Sequence, residues 1–234
     1  VTVDGNTVQF GADADGLVAR GIEVQDVSSS ASSAIELTND LIFREDGNNA
    51  TFWGIETDLR SASTKHNILI ASNTIVSLDS SGTASSVTGI YHEGGSDSEI
   101  VNNLIRTGQE ATTNGISISF YSDLPARLES NYIEAKNLFD WLTDISNVND
   151  PTQVTFDIDG DGEGDGIATG NLTGLAAGFA NTSSGDFDLT ASSAAAIRNG
   201  GADLGAIFNI DIEGVARSTA GTNGTDWSVG AFEY

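Results

Sequence analysis

Two landmarks recur along this chain in one order and at nearly one step, and that repetition limits the fold more than any other feature. The first is an Asn with an apolar residue three positions before it and another two after: Val3-Asn6-Val8, Ile70-Asn73-Ile75, Ile100-Asn103-Ile105 and Leu128-Asn131-Ile133. Asn39 reads as a fifth copy, with Leu41 after it and Leu37 one position closer before it. The second landmark is Gly-Ile followed by alternating residues, at Gly21-Ile22, Gly54-Ile55, Gly89-Ile90 and Gly115-Ile116. A period of about 30 residues is the mark of a solenoid. Each repeat holds two or three strands too short to bury a face alone, so stacked coils must pair in parallel, about 4.8 Å apart. Ile and Val then form interior columns, and the Asn residues stack into an amide ladder. Gly permits the turn ahead of the Ile strand. Loops such as 60–67 and 79–86 absorb the unequal spacing.

Composition agrees: 27 Gly, 2 Pro and 7% aromatic residues suit short strands and tight turns. Gly89-Ile90-Tyr91-His92-Glu93-Gly94-Gly95-Ser96 running into Ile100-Val101-Asn102-Asn103-Leu104-Ile105 resembles the repeat of pectate-lyase-like β-helix proteins, over residues 1 to about 135. The resemblance implies an all-β, right-handed parallel β-helix. It says little about activity, because that fold carries lyases, hydrolases, adhesins and inert stalks. The expected organisation is β-helix coils over 1–147, then final coils and a C-terminal cap over 148–234. The chain has no Met and starts inside a repeat, so earlier coils or a cap are expected before Val1. That uncapped end also makes end-to-end self-association an expectation.

The 34 acidic residues outnumber the 9 basic ones, for a net charge of −25. Nucleic acid and anionic membranes need clustered Lys and Arg, which this chain lacks. An acidic surface reads as solubility in a salty medium or as loosely held cations. There is no Cys, and no apolar run reaches the roughly 20 residues of a membrane span. Four sequons, at Asn49, Asn171, Asn181 and Asn223, matter only in a host that glycosylates.

The sharpest chemical motif is Asp157-Ile158-Asp159-Gly160-Asp161-Gly162-Glu163-Gly164-Asp165. Oxygen ligands at alternate positions with Gly at the sixth suit Ca²⁺. An EF-hand needs Glu at the twelfth position, where Ala168 stands. The loop instead resembles those of thrombospondin type 3 and related bacterial calcium repeats. That implies side-chain ligation by Asp157, Asp159, Asp161 and Asp165, with Glu163 giving its carbonyl; the plain alternative is a solvated acidic turn. The last 85 or so residues resemble the choice-of-anchor module of bacterial surface proteins. The matching pieces are Asn149-Asp150-Pro151, Gly178-Phe179, Asp186-Phe187-Asp188-Leu189, Ser193 to Gly200, Asp211-Ile212-Glu213-Gly214-Val215-Ala216-Arg217 and Val229-Gly230-Ala231-Phe232-Glu233-Tyr234. This implies a secreted or cell-surface protein, with the segment closing the β-helix end.

Period-two alternation assigns faces after each Gly-Ile. Ile22, Ile55, Ile90 and Ile116 point inward, followed by Val24, Thr57, His92 and Ile118. The outward columns are Glu23, Glu56, Tyr91, Ser117 and Gln25, Asp58, Glu93, Ser119. His92 therefore reads as a hydrogen-bonded interior residue before it reads as a base, and His66 as an exposed loop residue. Asp58 and Glu93, one strand apart, are the candidate acid–base pair for a glycosidic bond; they serve equally as calcium ligands or solvated carboxylates. Arg60, Lys65 and Arg106 are scattered, whereas a β-elimination lyase needs a cation beside its base. The N-T-D, D-D and R-I-K pieces of β-helix pectinases are absent. Trp53, Tyr91 and Tyr121 are candidates for stacking on sugar rings; alternation puts Tyr91 outward and leaves Trp53 and Tyr121 open. The expected role is a structural, adhesive or glycan-binding module steadied by calcium. The alternative is a fragment of a polysaccharide lyase or glycoside hydrolase.

Overall fold

A computed structural model describes residues 1–11, 18–25, 34–45, 51–58, 67–78, 86–93, 98–108, 113–118, 125–141, 145–148, 167–205, 207, 209–217 and 227–234. The first coil is β1 (Thr2–Asp4), β2 (Thr7–Phe10) and β3 (Val18–Gln25); the second is β4 (Ala34–Thr38), β5 (Leu41–Arg44) and β6 (Thr51–Asp58). The third is β7 (Asn67–Ala71), β8 (Thr74–Ser77) and β9 (Val87–Glu93); the fourth is β10 (Glu99–Val101), β11 (Leu104–Gly108) and β12 (Thr113–Ile118). The fifth is β13 (Arg127–Glu129), β14 (Tyr132–Ala135) and β15 (Asn137–Trp141), after which β16 (Ile145–Val148) and β17 (Ile167–Thr169) follow. Each coil adds one strand to each of three sheets, here A, B and C in coil order. Pairing between coils is parallel throughout, except that β16 lies antiparallel on β15. The chain is a parallel β-helix.

The register matches the sequence landmarks. In sheet A, Val3, Leu37, Ile70, Ile100 and Leu128 stack; in sheet B, Val8, Ile42, Ile75, Ile105 and Ile133 stack. Sheet C stacks Ile22, Ile55, Ile90, Ile116 and Phe139. These columns form one continuous core. Each fully buried Ile or Leu contributes about 1.5–3 kcal/mol, so the columns hold the coils together more than any single strand pair does.

The amide ladder is present, with one correction. Its members are Asn6, Asp40, Asn73, Asn103, Asn131 and Asn171. Each backbone N–H donates to the next member's Oδ1 at 2.8–3.1 Å. The second member is Asp40, not Asn39. Asn39 is the residue before it, at the corner, where φ is +54°; Ser72, Asn102 and Ser130 occupy the same corner at +55°, +58° and +53°. Gly5 and Gly170 complete the set at +68° and +67°. Every corner thus sits in the left-handed region directly before its ladder residue, and a short polar residue or Gly tolerates it best.

The repeated Gly has a different cause from the expected turn. Gly21, Gly54, Gly89 and Gly115 lie inside strands of sheet C, where a Cβ would meet both a side chain and a backbone of the next coil. At Gly54 it would fall 2.4 Å from Ile75 Cγ2 and 2.6 Å from Gly89 O; at Gly89, 2.3 Å from Ile105 Cγ2 and 2.7 Å from Gly115 O. The landmark marks a close approach between sheets B and C, where no side chain fits.

The described residues beyond Leu172 do not stack as further coils. They include β18 (Phe179–Asn181), β19 (Asp186–Leu189) and α1 (Ala195–Asn199), and they run back along the outside of the solenoid. Phe187, Ala231 and Phe232 cover Leu41, Phe43 and Val76 on sheet B. Ala177, Leu189, Ile197 and Val229 cover Leu104 and Tyr132, while Leu204 and Trp227 reach Leu69, Ala71 and Val101 on sheet A. The described residues of this segment form a clamp along the side. Two corner residues hold it. Asn102 exchanges a pair of hydrogen bonds with the Ala202 backbone, at 2.6 and 2.7 Å. Asn39 Oδ1 accepts from Arg217 at 3.0 Å. The pieces matched by sequence serve this clamp. Asp211 accepts from the N–H groups of Glu213, Val215 and Glu233, and Arg217 donates to Gly230 O and to Glu233.

Candidate functional site

The outward face of sheet C collects most of the candidate residues. β3, β6 and β9 put Glu23, Glu56 and Tyr91 in one column and Gln25, Asp58 and Glu93 in the next, as alternation predicts. Trp53, left open by the sequence, shares an outward column with Arg20, Thr88, Asn114 and Asn137. Its neighbour Phe52 takes the inward place.

Three of these side chains form a stack across three coils. The Arg20 guanidinium lies 4.9 Å from the Trp53 ring centre. On the other side, the Trp53 and Tyr91 rings are 5.1 Å apart and 10° from parallel. Trp53 is thus flanked on both sides, by Arg20 from the strand before it and Tyr91 from the strand after it. Arg20 also bonds to the Glu56 carboxylate and sits 3.4 Å from Glu23. Burial raises the Glu56 carboxyl above its ordinary range against the opposing pull of Arg20, while Glu23 and Asp58 add like charge.

Asp58 and Glu93 are direct neighbours in register. Their surroundings differ: Asp58 is half-buried, whereas Glu93 is 0% exposed and accepts from the Tyr91 hydroxyl at 3.2 Å. A glycosidase pair must reach substrate from both carboxyls, and Glu93 has no solvent-facing surface here. His92 is interior, with Nδ1 2.9 Å from Thr57 Oγ1 and Nε2 2.8 Å from Ser98 Oγ. Its two ring nitrogens are held by hydroxyls, as a structural histidine requires.

A polar group spanning the fourth and fifth coils carries no signal in the sequence patterns above. Asn114 Nδ2 donates to Asp140 at 3.0 Å, and Asn137 Nδ2 donates to Asn114 Oδ1 at 2.9 Å. Burial raises the Asp140 carboxyl, with the Ser117 hydroxyl bond acting in the other direction. β15 lacks the Gly-Ile landmark because Leu138 stands where the earlier coils have Gly, its carbonyl 2.7 Å from a Cβ built on Gly115. The usable signal was the spacing alone: Phe139 falls on the Ile116 column.

Tyr121, the loop Asp157, Asp159, Asp161, Glu163 and Asp165, and Arg60, Lys65, His66 and Ser119 lie outside the described residues. Arg106 pairs with Glu134 at 3.3 Å on sheet B, away from the sheet C face. Of the described sequons, Asn171 is buried as a ladder member and Asn181 is exposed, with its Oδ1 accepting from Ser183 at 2.7 Å. Among the described residues no helix is long and apolar enough to cross a membrane. No protein-family model, no curated protein and no solved structure matches this chain.

Proposed function

We propose that the chain is a rigid structural and adhesive module of a secreted or cell-surface protein, built on a pectate-lyase-like β-helix with a choice-of-anchor-type segment, and that it does not turn over a substrate. The observation carrying this reading is the Arg20–Trp53–Tyr91 stack, which flanks the best sugar-stacking residue on both sides with contacts between coils. A burial-locked Glu93 beside Asp58 supports it further, since an acid–base pair needs both members at the substrate. Adhesion to neutral glycans then falls to the polar group Asn114, Asn137 and Asp140, whose amides and carboxyl match sugar hydroxyls in kind. Calcium at Asp157, Asp159, Asp161, Glu163 and Asp165 belongs to the same proposal, as a steadying ion for a chain of net charge −25.

The neighbouring places of Asp58 and Glu93 favour a second reading, a fragment of a polysaccharide lyase or glycoside hydrolase. Incubation with neutral and acidic polysaccharides, with calcium and then with chelator, separates the two. The expected result is a higher melting midpoint with calcium and neither new reducing ends nor unsaturated-product absorbance. Turnover that Asp58→Asn abolishes would establish the enzyme instead.

A further inference from the structure

One rung of the amide ladder is an acid. We propose that Asp40 takes its place there as a neutral carboxylic acid, so that the solenoid holds one proton in its interior and loses stability when that proton leaves.

The geometry follows from the other rungs. Three amide members, Asn73, Asn103 and Asn131, each donate twice from Nδ2 in the same pattern. Asn73 donates to Asn103 Oδ1 at 3.0 Å and to Leu37 O at 2.9 Å. Asn103 donates likewise to Asn131 Oδ1 and Ile70 O, and Asn131 to Asn171 Oδ1 and Ile100 O. The carbonyl is always that of the residue three before the previous rung. The same register in the second coil sets the atom at this place against Asn73 Oδ1 and the Val3 carbonyl. Asp40 Oδ1 is fixed on the other side, accepting from Asn6 N and Nδ2 at 2.8 and 2.9 Å. Oδ2 therefore occupies the donor's place, and it is buried without a hydrogen-bond partner. A carboxylate oxygen there faces two acceptors, which is repulsive and leaves a charge unsolvated. A carboxylic O–H donates to one of them and restores the rung. Spacings of 2.9–3.0 Å at the equivalent rung fit a hydrogen bond; a calcium ion needs six or more oxygens at about 2.3–2.6 Å.

The charged groups around Asp40 do not reverse this. From the first coil, Asp4 adds like charge, its Oδ1 held by Thr38 Oγ1 and Asn39 Nδ2. From the third coil come Ser72 and Asn73, both neutral. From the clamp, Arg217 stops at Asn39 Oδ1 and is paired with Glu233. Burial is the largest influence on Asp40 and raises its carboxyl; the Asn6 bonds lower it, and Asp4 raises it again. The unfolded acid loses its proton near the ordinary value of 3.8, while the folded one keeps it to higher pH. Between those two points the native chain binds more protons, so stability falls as pH rises through the window.

Asp40→Asn supplies the missing donor permanently, using the residue present at the other rungs. Its melting midpoint at pH 7 should exceed that of the parent by about 3 °C, and the gap should close as pH falls toward about 4. In ¹³C-labelled protein, one Asp carboxyl carbon should stay in its protonated position above the ordinary range and vanish in the variant. Asp40→Leu, which breaks the rung, should melt lower than the parent at every pH. An Asp40→Asn midpoint equal to or below the parent's at pH 7, failure of that variant to fold, a gap that does not change with pH, or the absence of the protonated resonance would each refute the proposal.

Discussion

Asn103→Leu should cost about 4 kcal/mol and lower the melting midpoint by about 10 °C. Asn103 Oδ1 accepts from both N and Nδ2 of Asn73, at 3.1 and 3.0 Å, and its own Nδ2 serves Asn131 and Ile70. Leu matches its size and supplies none of these bonds. Two buried N–H groups of Asn73 and the Ile70 carbonyl lose a partner in a region closed to water, and each costs about 1–3 kcal/mol. Asn6→Leu provides the control. Asn6 is exposed, and Asp40 Oδ1 keeps the Asn6 backbone N–H as donor when the side chain is lost, so the same substitution there should cost under about 1 kcal/mol. Denaturant unfolding of the two variants checks the difference.

Arg217→Met should release the clamp. Arg217 is 1% exposed and joins Asn39 on the solenoid to Gly230, Ser228 and Glu233 on the tail. Met fills similar volume and carries no donor. Glu233, already raised by burial and near Asp211, would be left as an unpaired buried acid. Removing one partner of such a pair costs about 3–5 kcal/mol. The loss should appear as local opening, with faster hydrogen exchange over the described clamp residues and dye binding to uncovered Leu41, Phe43, Val76 and Leu104. Exchange in the interior columns of sheet C should change little, since no clamp residue packs there among the described residues.

The columns of the solenoid were legible because an interior position tolerates only apolar residues, and its period is set by the coil. His92 was placed inside by that alternation alone, and Thr57 and Ser98 bear it out. The second rung is hidden in the sequence because its ladder residue is an acid, Asp40, with an Asn directly before it. The apolar flanks pointed elsewhere: Leu37 and Ile42 stand three before and two after Asp40, not Asn39. Trp53 stayed open because the strand pairing skips Gly54, so counting by twos does not run cleanly through it. The side clamp also left a trace. Leu41-Ile42-Phe43, Ile75-Val76 and Leu104-Ile105 are continuous apolar runs, which indicate strands covered on both faces. Which segment covers them is a long-range fact that no local pattern carries. The calcium loop and Tyr121 lie outside the described residues, so those expectations stand as the sequence states them.

The register is the claim on which the ladder, the columns and the site all depend, and the chain's lack of Cys allows a direct test. Thr88 and Asn114 are partners on adjacent strands of sheet C, and Asn137 lies one strand further. Adjacent strands bring Cα atoms to about 4.8 Å, inside the range a disulfide spans, and two strands separate them by about 10 Å, outside it. Thr88→Cys with Asn114→Cys should cross-link under mild oxidation, and Thr88→Cys with Asn137→Cys should not. A folded first pair that stays reduced while the second closes would contradict the parallel coil register.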